Sequence, residues 1–135
     1  MNYTELKEKH SKEFGEFPIA FAFSDKQLDE ALAKLGATKD EVCVTGRNGI
    51  VKKTDAQAYV DLLKRLDKEL EDAMKDDAFL TEAIRYELGN HEYGYTRDPT
   101  DTIECLGLSM DDERTLRCFN AAKKEYLAWD ELHNN

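Results

Sequence analysis

Apolar residues recur at steps of three and four along most of the chain, which is the spacing that places them on one face of an α-helix. The first stripe consists of Tyr3, Leu6, His10, Phe14 and Phe17. This helix ends near Gly15, because Pro18 cannot continue it. Five further stripes of the same kind follow, so the sequence predicts a chain made mainly of helix.

Three short segments have the character of strands instead. Residues 19–23 form a short apolar run that ends at a polar Ser-Asp pair, as a buried strand does. Residues 41–45 and 50–53 flank Gly46-Arg47-Asn48-Gly49, in which Asn48 and Gly49 are expected to supply the positive φ angles of a tight hairpin turn. The element order is αβαββαααα, with the partner of the first strand left open. We therefore expect a helix-rich α+β fold, in which a small three-stranded antiparallel sheet packs against about six helices in one domain, residues 1–135.

Side chains that can accept hydrogen bonds from the first turn of a helix mark four of the predicted helix starts: Ser24, Thr54, Asp98 and Ser109. Ser24 and Thr54 are each followed three residues later by a glutamine, which is the spacing of a capping box. Gly36 is expected to end the second helix in a left-handed conformation.

Acidic residues are concentrated in the second part of the chain. The net charge is −10, but residues 1–60 hold ten acids and nine bases, whereas residues 61–135 hold nineteen acids and ten bases. Binding to phosphates requires clustered Lys and Arg, so direct nucleic-acid binding and an anionic membrane are not expected. A basic protein partner is compatible with this distribution.

The expected compartment is the cytoplasm. The first residues lack the apolar segment of a secretion signal, and no apolar run approaches the roughly 18 residues of a membrane span. Cys43, Cys105 and Cys118 form an odd set without a C-x-x-C pair. This favours reduced, mostly buried thiols over disulfides or a zinc knuckle, and no cofactor is predicted.

The densest group of chemically versatile side chains lies in residues 85–98, where a helix gives way to irregular backbone. Loops at such junctions often carry binding or catalytic sites. Tyrosine and arginine bury area while keeping a polar group, as binding hot spots require. The candidate binding residues are Arg85, Tyr86, Asn90, Tyr93, Tyr95 and Arg97.

Two chemical interpretations compete with this recognition surface. In the first, the catalytic candidates are Glu87, His91 and Glu92: His91 acts as a general base that a carboxylate orients, and Tyr93 or Tyr95 donates a proton. In the second, Glu87 and His91 are metal ligands, since residues four apart share a helix face. The sequence offers no third ligand nearby, so no metal is predicted.

A purely structural interpretation accounts for the same residues. Gly89 and Asn90 end a helix, while His91 and Glu92 satisfy exposed backbone groups. The tyrosines then close the core beneath a loop.

Several segments together resemble a family of small uncharacterised proteins of gut Firmicutes and of their phages and mobile elements. The resemblance is carried by residues 21–27 (FAFSDKQ), 53–55 (KTD), 85–88 (RYEL), 90–93 (NHEY), 101–102 (DT) and 106–108 (LGL). The hairpin departs from the family, which tends to carry a glycine-rich, aromatic turn where this chain has GRNGIV. The resemblance implies no activity, but it suggests a phage-encoded modulator of a host protein.

Three hypotheses follow for function. The first is a non-enzymatic interaction module that uses an acidic helical surface to bind a basic host protein. The second is a small metal-dependent or acid-base enzyme centred on Glu87, His91 and Glu92. The third is a structural homo-oligomer, in which Tyr126, Trp129 and Leu132 leave an apolar patch on the last helix.

Overall fold

Helix is the main element of the structure, as the apolar stripes predict. The computed structural model describes residues 1–134. Over that range it contains the helices α1 (Tyr3–Glu16), α2 (Asp25–Leu35), α3 (Ala56–Ala73), α4 (Asp77–Asn90), α5 (Tyr93–Thr96), α6 (Thr100–Cys105) and α7 (Glu113–Asn134). Single 3₁₀ turns occupy Lys39–Glu41, Gly46–Asn48 and Lys53–Asp55. None of these helices is long and apolar enough to cross a membrane.

Three strands form one antiparallel sheet. They are β1 (Ile19–Phe21), β2 (Val42–Val44) and β3 (Gly49–Lys52), and their order in the sheet is β1-β3-β2. Val51 of β3 lies opposite Ile19 on one side and opposite Cys43 on the other. The predicted α+β class and the three-stranded sheet are confirmed, and β3 is the partner of the first strand.

The turn of the β2–β3 hairpin differs from the predicted one. Positive φ angles occur at Arg47 (59°) and Asn48 (64°), whereas Gly49 has a φ of −79°. The prediction that Asn48 and Gly49 share the left-handed conformation is therefore wrong. A bond from the Gly49 N–H to the Gly46 carbonyl closes a 3₁₀ turn, so Gly49 already belongs to β3. Glycine is required there for space, because a Cβ at Gly49 would collide with Oγ1 of Thr45.

Of the two predicted capping boxes, only the N-cap bond of the first is found, because the Gln27 side chain accepts from the Phe23 amide and not from that of Ser24. Ser24 accepts a hydrogen bond from the Gln27 amide at 3.3 Å, and α2 ends at Gly36 with a φ of 65°. Thr54 lies inside the 3₁₀ turn Lys53–Asp55, so it does not precede α3 as a cap, and that prediction is wrong.

The last two predicted helix starts had different outcomes. Asp98 accepts from the Thr100 amide at 3.0 Å at the start of α6, but the N-cap position is Pro99, one residue later than predicted. The residue that caps α7 is Asp112, which accepts from the Thr115 amide at 3.1 Å. The predicted Ser109 accepts a bond within the preceding turn instead.

Residues 91–97, predicted to be irregular, contain the additional short helix α5. Glu92 and Arg97 flank it with left-handed φ angles of 56° and 60°. The Arg97 N–H closes the turn by donating to the Tyr93 carbonyl at 2.8 Å. Neither flanking residue is a glycine, so the sequence carries no ordinary turn signal for this helix.

The chain groups into two units, and the first unit consists of residues 1–7 together with the chain from Leu70 onward. Its larger core contains Leu80, Ile84, Leu88, Tyr93, Ile103, Cys118, Phe119 and Ala122. A second cluster joins the start of α1 to α4 through Tyr3, Leu6, Phe79 and Ala83. This unit carries the site described below.

The second unit is Glu8–Glu69, which contains the sheet. Its core consists of Ala20, Ala31, Leu35 and Ile50. An ion pair between Arg65 of α3 and Glu13 of α1 joins these helices within this unit, and Arg65 also pairs with Glu69 one turn along α3.

Candidate functional site

The side chain of Glu87 is the centre of a polar cluster within the first unit. It lies in the last turn of α4, and only 4% of the residue is exposed. A buried carboxylate is costly unless charged or polar groups surround it. Five side chains do so, and we refer to them with Glu87 as the Glu87 cluster: Tyr3, Lys7, Asn90, His91 and Cys105.

One oxygen of Glu87 is held by the first turn of α1. The Tyr3 hydroxyl donates to Oε1 at 2.7 Å, and the Lys7 ammonium donates to the same atom at 3.0 Å. The Tyr3 ring packs edge-on against Phe79 and Tyr86, which fixes the position of its hydroxyl. Oε1 therefore receives two short, charge-assisted hydrogen bonds.

The other oxygen faces three weaker contacts. The Asn90 amide donates to Oε2 at 3.3 Å, Nε2 of His91 lies 3.5 Å from it, and the Cys105 thiol donates at 3.7 Å. Ordinary N–H···O bonds measure about 2.7–3.2 Å. Oε2 is thus less fully bound than Oε1.

The backbone fixes the elements that carry these side chains. The Glu87 carbonyl accepts from the His91 N–H at 3.0 Å and from the hydroxyl of buried Thr102 at 3.1 Å. The Thr102 bond ties α6 to the end of α4. As a result, Cys105 in the last turn of α6 lies beside Glu87 and His91.

Burial and charge shift the proton affinities in the cluster. Burial raises the pKa of Glu87, but hydrogen bonds from Tyr3, Lys7 and Asn90 outweigh it and hold that pKa below its ordinary 4.5. Burial and the Glu87 carboxylate raise the pKa of Tyr3. The same two causes raise the pKa of Cys105 to about 11. Glu87 is therefore an ionised carboxylate, and the phenol of Tyr3 and the thiol of Cys105 are neutral donors to it.

A second feature of the same unit is an open groove of about 600 Å³. We call it the acidic groove; its lining residues are Gly89, Glu92, Gly94, Tyr95, Tyr126 and Asp130. Glu92 and Asp130 contribute carboxylates, and Tyr95 and Tyr126 contribute aromatic rings. This combination of groups suits a cation.

The groove is shaped by the close approach of α7 to α5. The Gly94 N–H donates to the Tyr126 hydroxyl at 3.3 Å. A Cβ at Gly94 would lie 2.9 Å from that hydroxyl and 3.0 Å from Oδ1 of Asp130. Only glycine leaves both side chains where they are.

The three catalytic candidates do not share one location. Glu87 and His91 lie together in the Glu87 cluster, whereas Glu92 precedes α5 and lines the acidic groove. The metal pair proposed from spacing is thus adjacent in the structure, and Cys105 adds a third ligand type.

The six binding candidates are divided among several places. Asn90 belongs to the Glu87 cluster, and Tyr93 is buried in the core, with 6% exposed. Arg85 lies 3.7 Å from Glu125 on α7, and Arg97 lies over the Tyr93 ring.

The two remaining candidates expose aromatic surface to different degrees. Tyr86 is 39% exposed beside Tyr3, and Tyr95 is 92% exposed at the acidic groove. Of the six, Tyr95 is the one that presents most of its ring to a partner.

Sequence reasoning missed five residues of these two features: Tyr3, Lys7, Cys105, Tyr126 and Asp130. Tyr3 and Lys7 are 84 and 80 residues from Glu87 in sequence, and Cys105 is 18 residues away. The expectation of mostly buried thiols also fails for Cys105, which is exposed, while Cys118 is buried. One signal for these residues is present in the sequence: Tyr3 and Lys7 are four apart at a helix start, so their side chains share one helix face.

Comparison with known proteins gives one match. A family model described as a family of unknown function (DUF7659) matches residues 2–125. No curated protein and no solved structure matches the chain.

Proposed function

Since the chain belongs to this family of unknown function, we propose a role from its own residues: a non-enzymatic module that binds a basic segment of a partner protein. The observation that carries the proposal is the acidic groove. Glu92 and Asp130 there can pair with Lys or Arg, and the rings of Tyr95 and Tyr126 can stack on a guanidinium. We propose arginine as the preferred cation, because it uses both kinds of contact.

Charge distribution supports the proposal. Residues 1–7 and 70–135 contain 17 acids and 8 bases, a net charge of −9, whereas residues 8–69 contain 12 acids and 11 bases, a net charge of −1. The groove therefore belongs to the unit that carries nearly all of the excess charge. Such a field attracts a basic partner and speeds its encounter.

Exposure of Tyr95 also supports the proposal. Large aromatic side chains at interfaces often contribute more binding energy than their neighbours. Tyr95 is 92% exposed, although its neighbour Tyr93 is buried. We propose that Tyr95 is the anchor that a partner covers.

The resemblance to small proteins of phages and mobile elements suggests that the partner is a host protein of the cytoplasm. A mobile element encoding such a module would act on a protein of its host. The chemistry proposed here requires only that this protein exposes an arginine-rich segment.

A short arginine-rich peptide tests the proposal by isothermal titration calorimetry. We expect Tyr95→Ala and the double variant Glu92→Gln/Asp130→Asn each to weaken binding by about tenfold or more, the range of a lost hot-spot contact. The matched control is Glu71→Gln/Asp111→Asn, which removes the same charge from exposed positions of the same unit. An equal loss of affinity in both double variants would contradict specific binding in the acidic groove, because it would show that only the overall negative charge attracts the peptide.

A small metal-dependent or acid-base enzyme is the second candidate. It is favoured by the approach of His91 and Cys105 to Glu87. Ester and phosphoester substrates in a hydrolysis screen would test it. An activity that His91→Gln abolishes would support an enzyme, and an activity that persists in this variant would contradict it.

A homo-oligomer is the third candidate, and the exposed apolar surface of α7 favours it. Trp129 is 48% exposed and Leu132 is 81% exposed. Light scattering across concentration decides the matter, because self-association requires a mass that rises with concentration. A constant monomer mass would remove this candidate.

A further inference from the structure

The Glu87 cluster contains three different metal-ligand types at close range. Oε2 of Glu87 lies 3.5 Å from Nε2 of His91 and 3.7 Å from Sγ of Cys105. All three ligand atoms lie within 4.8 Å of one another. In a tetrahedral zinc site, bonds of about 2.0–2.3 Å separate neighbouring ligand atoms by about 3.3–3.6 Å. Two of the three separations are therefore within a few tenths of an ångström of those in a zinc site.

The third separation, between Nε2 of His91 and Sγ of Cys105, is at most 4.8 Å. Cys105 is exposed and His91 is partly exposed, so both side chains have room to change their torsion angles when a metal draws the ligand atoms together. Exposure of the same two side chains also gives an ion access from solvent.

The two oxygens of Glu87 differ in how fully they are bound. Oε1 accepts short bonds from Tyr3 and Lys7, at 2.7 Å and 3.0 Å. The contacts to Oε2 are longer, between 3.3 Å and 3.7 Å. A carboxylate held at one oxygen by protein donors presents the other to a metal in a fixed direction, as outer-shell partners do in known metal sites.

We propose that Glu87, His91 and Cys105 bind a zinc ion through Oε2, Nε2 and Sγ, with the fourth position open. Carboxylate, imidazole and thiolate together suit zinc, whereas magnesium and calcium prefer oxygen ligands alone. On binding, the thiol proton passes to solvent and the Sγ–metal bond replaces the S–H bond. This proposal does not depend on the binding of a basic partner in the acidic groove.

Cobalt provides the test, because Co²⁺ occupies zinc sites and has a visible spectrum. When metal-free protein is titrated with Co²⁺, the absorbance should saturate at one equivalent of cobalt. The spectrum should show the intense visible bands of tetrahedral cobalt and a thiolate-to-cobalt charge-transfer band. Added Zn²⁺ should then displace the cobalt and remove these bands. We expect Cys105→Ser to abolish the charge-transfer band and His91→Gln to weaken binding by about ten- to a hundredfold. Glu87→Gln is less informative, because removing the buried charge also weakens the bonds from Tyr3 and Lys7, whereas Cys105 and His91 are not buried.

Cys43→Ser is the matched control, since Cys43 is a partly buried thiol outside the first unit. It should leave the cobalt spectrum and the affinity unchanged.

Three outcomes would overturn the proposal. One is a cobalt complex without a thiolate band, and another is a band that Cys105→Ser leaves in place. The third is a His91→Gln variant that binds cobalt as tightly as the parent protein does.

Discussion

Glu87 shows how a single buried charge organises residues from three helices. Its carboxylate receives Tyr3 and Lys7 from α1 and Cys105 from α6, while its backbone carbonyl accepts the hydroxyl of Thr102. Each contact offsets part of the cost of removing the charge from water. Replacing one donor should therefore weaken the fold measurably.

Tyr3→Phe removes one donor from Glu87 and keeps the ring. We expect the free energy of unfolding to fall by about 1.5–3 kcal/mol, the usual worth of a hydrogen bond to a charged group. Urea denaturation in the presence of a chelator measures it, so that bound metal does not contribute. Tyr95→Phe is the control, because its hydroxyl belongs to a residue that is 92% exposed, and its unfolding midpoint should stay unchanged. Equal stability of the two variants would mean that the Tyr3 bond contributes nothing net.

Gly94→Ala tests whether the acidic groove needs its close approach of helices. The added methyl must displace the Tyr126 hydroxyl or the Asp130 carboxylate, from which it would lie 2.9 Å and 3.0 Å away. We expect binding of the arginine peptide to weaken about tenfold, as for the loss of one charge-assisted contact. Gly15→Ala adds the same methyl where no atom lies within 4 Å, and it should leave peptide binding unchanged. Unaltered affinity in Gly94→Ala would place the peptide elsewhere.

These residues also show what the sequence could predict about the site. Glu87 and His91 could be paired because four residues make about one helical turn, and that short-range rule is reliable within a helix. Cys105 could not be predicted as a third member of this pair, because its distance from Glu87 depends on how α6 packs against α4. Tyr3 could be assigned to a helix face but not to a partner, since nothing local specifies a contact 84 residues away.

At the scale of elements, prediction succeeded where a local hydrogen bond decides the outcome. Ser24 caps α2 as expected, and Asp98 accepts from the first amide of α6, because each bond needs only the next few residues. Ser109 and Asp112 compete for the same helix start, and spacing alone could not choose between them. The helix α5 escaped prediction because Glu92 and Arg97 adopt a conformation that is uncommon for residues other than glycine.

Asp77 joins the start of α4 to the first turns of α7. Its two carboxylate oxygens accept from Arg114 and Arg117. These hydrogen bonds hold the pKa of Asp77 below its ordinary 3.8. A carboxylate with a depressed folded-state pKa stabilises the protein above its unfolded pKa, and this stability is lost as pH falls through the folded-state pKa.

Asp77→Asn should therefore lower the urea midpoint at pH 7. The difference from the parent protein should shrink as pH falls below 3.8 and vanish once pH lies below the folded-state pKa of Asp77, where both proteins carry a neutral side chain. Asp111→Asn, a change at an exposed acid before α7, is the control and should leave the midpoint near that of the parent. A difference that stays constant as pH falls from 7 through the folded-state pKa would show that the ion pair is not its cause.

For the whole molecule, the uneven charge predicts where a basic ligand makes contact. NMR titration with the arginine peptide should shift backbone amides of residues 89–95 and 126–130, while amides of residues 8–69 stay in place. The reason is that residues 1–7 and 70–135, the first unit, have a net charge of −9, out of −10 for the whole chain. The shifts should diminish as salt is raised, since the Debye length falls to about 8 Å at physiological ionic strength. Shifts spread evenly over both units would contradict a single acidic groove.

The first seven residues and the chain from Leu70 onward belong to one unit, and this has a consequence for synthesis on the ribosome. Residues 8–69 are continuous, so the sheet and its helices can assemble as soon as they emerge. Tyr3 leaves the ribosome early but must wait for Glu87, which is made 84 residues later. Contacts between distant parts of a chain form slowly because the intervening loop must first close. Of the two units, the helical one is therefore the later to acquire its native structure.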